Sequence, residues 1–117
     1  MYRYLGFSLL LGLAAHSAAA TPAEAEVDQL ISYVDQSNCI FIRNGSKGDS
    51  RSAAAHLRQK YRYARGRVQT SEQFIDYIAS GSSMTGKAYL VECPSEAREQ
   101  SGPWLRKELV RLRRAAR

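Results

Sequence analysis

Residues 39–45, Cys39-Ile40-Phe41-Ile42-Arg43-Asn44-Gly45, decide the fold class. Ile40, Phe41 and Ile42 are β-branched or aromatic, side chains that pack well on a pleated surface, so the stretch reads as a strand. Asn44-Gly45 is a dipeptide suited to the positive φ angles of a tight hairpin turn, and a short return strand around Lys47 follows. A second strand reads from Ala88 to Cys93 and is stopped by Pro94, which has no N–H to give a ladder. Paired antiparallel, the start of one strand lies beside the end of the other. That register sets Phe41 opposite Val91 and Arg43 opposite Tyr89, and it lets the sulfurs of Cys39 and Cys93 meet.

Outside the strands, apolar residues recur at steps of three and four, the period of a half-buried helix. Val27, Leu30, Ile31 and Val34 form the first such line, behind acidic residues (Glu24, Glu26, Asp28) that suit a helix N-terminus. Ser37-Asn38 ends it. Asp49 or Ser50 caps a second helix with the line Ala54, Leu57, Tyr61, Ala64, Val68. Thr70-x-x-Gln73 is a capping box for a third, which buries Phe74, Ile75 and Ile78. Ser80 to Ser83 breaks it. A polar loop runs through Gln100, and Pro103 then suits the first turn of a last helix that buries Leu105, Leu109 and Leu112. The order predicts an α+β fold, about four helices packed on a small antiparallel sheet of two to three strands in a single domain, in preference to a parallel α/β sheet.

A chain of 117 residues has room for one domain, which excludes a multidomain enzyme. Its start reads as a secretory leader, residues 1–20. Arg3 supplies the positive end, Leu5 to Ala15 the apolar run, and Ala18-Ala19-Ala20 the small residues of a cleavage site. The run falls short of the ~20 residues that a membrane-spanning helix needs. Residues 21–117 are then the folded domain, with a basic C-terminal helix. In an exported chain two cysteines are expected to form a disulfide. Closing the 54-residue separation between Cys39 and Cys93 adds about 4 kcal/mol on the loop-entropy account. No C-x-x-C is present, so redox catalysis is not expected.

Gly81 to Lys87 spells G-x-x-x-x-G-K, the start of a phosphate-binding loop, but the context excludes that reading. Ala88 follows where a hydroxyl is needed, and the loop runs from helix to strand, the reverse of the required order. What remains is a polar, glycine-bracketed segment with Ser82, Ser83, Thr85, Lys87 and Tyr89 close together. It is either a helix stop followed by a turn or a contact for a ligand. In the expected register, Asn44 and Gly86-Lys87 fall at the same end of the sheet. That gathers Arg43, Asn44, Ser83, Thr85 and Lys87 into a patch where a carboxylate or sulfated group could dock. His56, the one histidine outside the leader, lies beside the apolar stripe of the second helix. It is either a boundary residue or the base of a hydrolase, with a hydroxyl of Ser82–Thr85 as nucleophile and Asp76 as orienting acid. No nucleophile elbow is present, the ligands for a metal are too few, and no cofactor is expected.

Charge is segregated. Arg51 to Arg67 holds Arg51, Arg58, Lys60, Arg62, Arg65 and Arg67 with no acid, and Arg106 to Arg117 holds six more bases against Glu108 alone. These are either solvated faces or an electrostatic footprint for an anionic partner. In the cell envelope that partner would be lipid headgroups, lipopolysaccharide or an acidic protein, with nucleic acid a poorer fit.

Taken together, Phe41-Ile-Arg-Asn-Gly45, His56-Leu57, Phe74-Ile75 with Ile78-Ala-Ser80, Ser82-Ser-Met-Thr-Gly-Lys87 with Tyr89, Cys93-Pro94 and Trp104-Leu105 resemble the YfeK-like family of small exported proteobacterial proteins, a domain family of unknown function. The resemblance spans Val27 to Leu112. It implies a periplasmic α+β domain and supplies no catalytic residue or cofactor. The resulting expectation is a periplasmic binding or interaction module with an anionic or protein partner. The alternative is a small hydrolase built on His56, and an enzyme is the less favoured of the two.

Overall fold

The computed structural model describes residues 20–117, so the expected leader lies outside the described residues apart from Ala20. The fold is α+β, with helices on a four-stranded antiparallel sheet and one disulfide.

Helix α1 spans Pro22–Gln36. Thr21 caps it by accepting from the Glu24 N–H at 3.1 Å, and Pro22 occupies the first turn, where no N–H is missed. Its inward line is the expected Val27, Leu30, Ile31 and Val34, all buried. Asn38, at φ 56°, then turns the chain into the sheet. Strand β1 (Ile40–Arg43) and strand β2 (Ser46–Gly48) form the hairpin around Asn44-Gly45, with φ 49° and 81° as a turn of this hand requires. Helix α2 spans Ser50–Ala64 and is capped by Asp49, whose Oδ1 accepts from the Ser52 N–H at 2.7 Å.

Two elements depart from the expected outline. The second helix stops at Ala64 and tightens into a 3₁₀ turn over Arg65–Arg67, so Val68 reaches the core from extended backbone instead of from the helix. The third begins at Thr70 as expected, with Thr70 Oγ1 accepting from Gln73 N–H at 3.0 Å. Gln73 reaches back one residue further than a standard box, to the N–H of Gln69. Regular helix α3 then lasts one turn, Ser71–Phe74, before widening to a π-helical segment, Ile75–Ala79. Side chains compete for that segment's carbonyls. Ser80 Oγ donates to Ile75 O, Ser101 Oγ to Ala79 O and Lys60 Nζ to Ile78 O, at 2.6, 2.6 and 2.8 Å.

Strand β3 (Leu90–Glu92), strand β4 (Glu99–Gln100) and helix α4 (Ser101–Ala115) complete the chain. The sheet order is β2-β1-β3-β4. Phe41 pairs with Val91 in the expected register, and the β1–β3 ladder ends at Ile42 and Leu90, one pair short of Arg43 and Tyr89. Tyr89 instead donates its N–H to Ser80 O and accepts from Ser101 N–H, both at 2.9 Å. The loop expected through Gln100 contains β4, two residues paired to Leu90 and Val91. Cys39 and Cys93, one step beyond Ile40 and Glu92, are disulfide-bonded with Cα atoms 4.2 Å apart.

Trp104 locks the layers together: its ring stacks on Tyr33 of α1 and meets Phe41 of β1 edge-on, with centroids 4.7 and 5.6 Å apart. Along α4, Leu105 and Leu109 are buried as expected, but Leu112 is only half-buried and Glu108 turns inward, held by Arg111. The basic residues of α4 are exposed as expected, and most of them also form ion pairs at the surface. Arg106 pairs with Asp76, Lys107 with Glu99, and Arg113 with both Glu26 and Glu72. Acids at the starts of α1 and α3 lie across from the end of α4, and charge complementarity draws its cations onto them. No helix among the described residues is long and apolar enough to cross a membrane.

Candidate functional site

The hairpin β1–β2 stands over the first half of α2, and between them lies a cavity of about 130 Å³. Its inner wall is apolar, formed by Val34, Phe41, Leu57, Ala79 and Leu105. Four of these five are almost wholly buried. Arg43, Lys47, Ser52, His56 and Tyr89 supply its polar groups.

Strand alternation brings Arg43 there. Side chains two apart on a strand share a face, and Phe41 faces the helices through its contact with Trp104, so Arg43 lies on that same side at the end of the sheet, where it is exposed at the cavity's rim. Helical spacing brings the rest: Ser52, His56 and Lys60 recur at steps of four along α2. His56 is half-buried and meets the Tyr89 ring edge-on at 6.1 Å between centroids. Burial, with Arg43 and then Lys60 nearby, holds its imidazole below the ordinary histidine pKa, so it is neutral near pH 7.

Lys60 is the residue that the sequence did not single out. It was expected on a solvated basic face, but its Nζ points inward and donates to Ile78 O, Gly81 O and Tyr89 Oη at 2.8, 3.1 and 2.9 Å. An ammonium has three N–H groups, and each has a partner. Lys60 thus closes the end of the π-helical segment and fixes the Tyr89 ring in the cavity wall. The four-residue step from His56 was the available signal, masked by the surrounding run of bases.

The remaining candidates form a second cluster. Thr85 Oγ1 donates to Asn44 Oδ1 at 2.7 Å, and Asn44 Nδ2 donates to Ser82 Oγ at 3.4 Å. Ser82 Oγ also accepts from the N–H groups of Met84 and Thr85, and Thr85 Oγ1 from that of Lys87. These hydroxyls brace a tight loop, closed by the Ser82 N–H on Lys87 O at 2.9 Å. Gly81 makes the closure possible, since a Cβ there would lie 2.8 Å from Lys87 O. The expected patch of Arg43, Asn44, Ser83, Thr85 and Lys87 is therefore divided: Arg43 lines the cavity with His56 and Tyr89, Asn44 and Thr85 bond to each other and to Ser82 beside it, and Ser83 and Lys87 are exposed. No hydrogen bond among the described residues joins His56 to Ser82, Ser83 or Thr85, and Asp76 pairs with Arg106.

A family of unknown function, DUF5329, matches residues 21–113. The chain belongs to that family. It is 40% identical over 83 residues to the uncharacterized protein YfeK of Salmonella typhimurium strain LT2, covering 70% of this chain and 69% of that protein. No solved structure matches. The matched span contains both clusters and both cysteines.

Proposed function

We propose that the protein is an exported, periplasmic binding module whose ligand site is the cavity between the β1–β2 hairpin and α2. The observation that carries this reading is a cavity with buried apolar walls and uncommitted polar groups beside it. Export is supported by the apolar run from Leu5 to Ala15, by the small residues Ala18–Ala20, by the cystine, which persists in oxidising compartments, and by a family match that begins at Thr21. The wider partner is an anionic or protein component of the envelope. Exposed Arg51, Arg62 and Arg67 on and just after α2 add attraction for an anionic surface such as lipid headgroups or lipopolysaccharide. The hydrolase alternative is less supported, because no hydrogen bond among the described residues joins His56 to a hydroxyl of the Ser82–Thr85 loop: Ser82 and Thr85 brace the loop, and Ser83 is exposed.

Cavity occupation is tested by ¹⁵N–¹H NMR titration with a panel of small apolar and amphiphilic molecules. Shift changes confined to Phe41, Ala53, His56, Leu57 and Tyr89 are expected. Ala53→Leu, which fills the space, should abolish them while thermal unfolding stays cooperative. Saturable shifts at Ser82–Lys87 with none at the cavity would overturn the assignment.

A further inference from the structure

We infer that the cavity takes a monoanionic carboxylate carrying one apolar group about the size of a benzene ring, with Arg43 holding the carboxylate. This rests on the binding-site reading above and names the ligand class for it. The size follows from the volume, since an apolar cavity of about 150 Å³ is one that benzene fills. The charge follows from an accounting of the cations. Lys60 has spent its three donors on Ile78, Gly81 and Tyr89. Lys47 faces Glu92 at 3.8 Å. Among the described residues no carboxylate lies within salt-bridge distance of Arg43, the one remaining cation lining the cavity. Arg43 is exposed at the rim of the cavity, and a guanidinium there without a carboxylate partner is matched by one planar anion, since a carboxylate accepts its two parallel N–H groups.

The neighbouring groups favour a single negative charge over two. The His56 imidazole is neutral near pH 7 and adds a hydrogen bond without adding a second cation. Tyr89 Oη accepts from Lys60 and so keeps its own proton free to donate. Asp49, the nearest acid in sequence to this end of α2, is occupied as the helix cap on Ser52. Arg43 alone neutralises a carboxylate, whereas a phosphate dianion would need a second cation, and Lys47 is shared with Glu92.

The probe is 3-phenylpropionate, with 3-phenylpropionamide as its neutral isostere and 2-phenylethylamine as a cation of similar shape, titrated calorimetrically into the purified protein at low salt. The carboxylate is expected to bind about tenfold more tightly than the amide, and the amine not at all. Arg43→Gln should reduce the ratio of carboxylate to amide affinity from about ten to about one, and Arg43→Lys should restore part of it. The exposed position of Arg43 makes loss of folding a minor concern, and circular dichroism of each variant checks it. Equal binding of carboxylate and amide, or a preference unaffected by Arg43→Gln, would overturn the carboxylate assignment while leaving the cavity as a binding site. Absence of binding by all three probes, with no shift at His56 or Tyr89, would overturn both.

Discussion

Arg113 on the last helix and Glu26 on the first meet as two forks, Nε to Oε2 at 3.0 Å and Nη2 to Oε1 at 3.1 Å, across 87 positions of sequence. Ser71 Oγ donates to the same carboxylate at 2.7 Å, so one acid of α1 joins α3 and α4.

This contact makes part of the stability acid-sensitive. The Arg113 hydrogen bond, then that of Ser71, holds the Glu26 carboxyl below its ordinary value of 4.5. The native state therefore binds that proton less readily than the unfolded chain. The contribution is complete above about pH 4.5 and is lost as pH falls through the lower native value. Arg113→Gln should cost about 1 kcal/mol at pH 7, a figure kept small because Arg113 is half-exposed and solvent screens the pair. Urea midpoints at pH 7 and pH 3 check this, and the difference between wild type and variant should shrink at the lower pH.

Reduction of the Cys39–Cys93 bridge frees a long loop in the unfolded chain. Replacing both cysteines with serine should lower stability by roughly 2–4 kcal/mol, the upper figure being the full loop-entropy effect. Urea unfolding of the variant, compared with wild type in the presence and absence of reductant, measures it. Reductant should destabilise only the wild type.

His56 should titrate below its ordinary value of 6.5, owing first to burial and then to Arg43 and Lys60. Between 6.5 and its lower native pKa, the unfolded chain binds the proton and the native chain does not, so stability falls as pH drops through that window. His56→Gln should flatten the slope there. Imidazole proton resonances followed by NMR should move back toward pH 6.5 in Arg43→Gln, because one of the two repelling cations is gone.

Lys60 and Arg62, two residues apart and so on roughly opposite sides of α2, should behave differently when neutralised. Lys60→Met leaves two carbonyls and the Tyr89 hydroxyl without their donor and should cost about 2–4 kcal/mol. Arg62→Gln, at an exposed position of the same helix, should change stability by less than about 0.5 kcal/mol. Denaturant midpoints of the two variants make the comparison.

Local chemistry made much of this molecule legible from its residues. The hairpin at Asn44-Gly45, the caps at Asp49 and Thr70 and the buried stripe of α1 depend on neighbours within a few positions, where backbone sterics and periodicity act. The Phe41–Val91 register and the Cys39–Cys93 bridge followed as well, because two short strands with a cysteine at opposite ends leave little freedom in how they align. Contacts that cross the chain were decided by tertiary structure alone. Composition placed Lys60, Arg62 and Arg113 in one class of solvated bases, yet Lys60 turns inward to three acceptors, Arg113 clamps two acids and Arg62 faces water. The π-helical segment Ile75–Ala79 is bound in part the same way: Ser80 takes one carbonyl locally, and side chains from α2 and α4 that no local pattern reveals take two more. Residue type set which groups could bond, and packing determined which of them met. The cavity beside Arg43 and His56 is accordingly a property of how the hairpin lies on α2, absent from either segment read by itself.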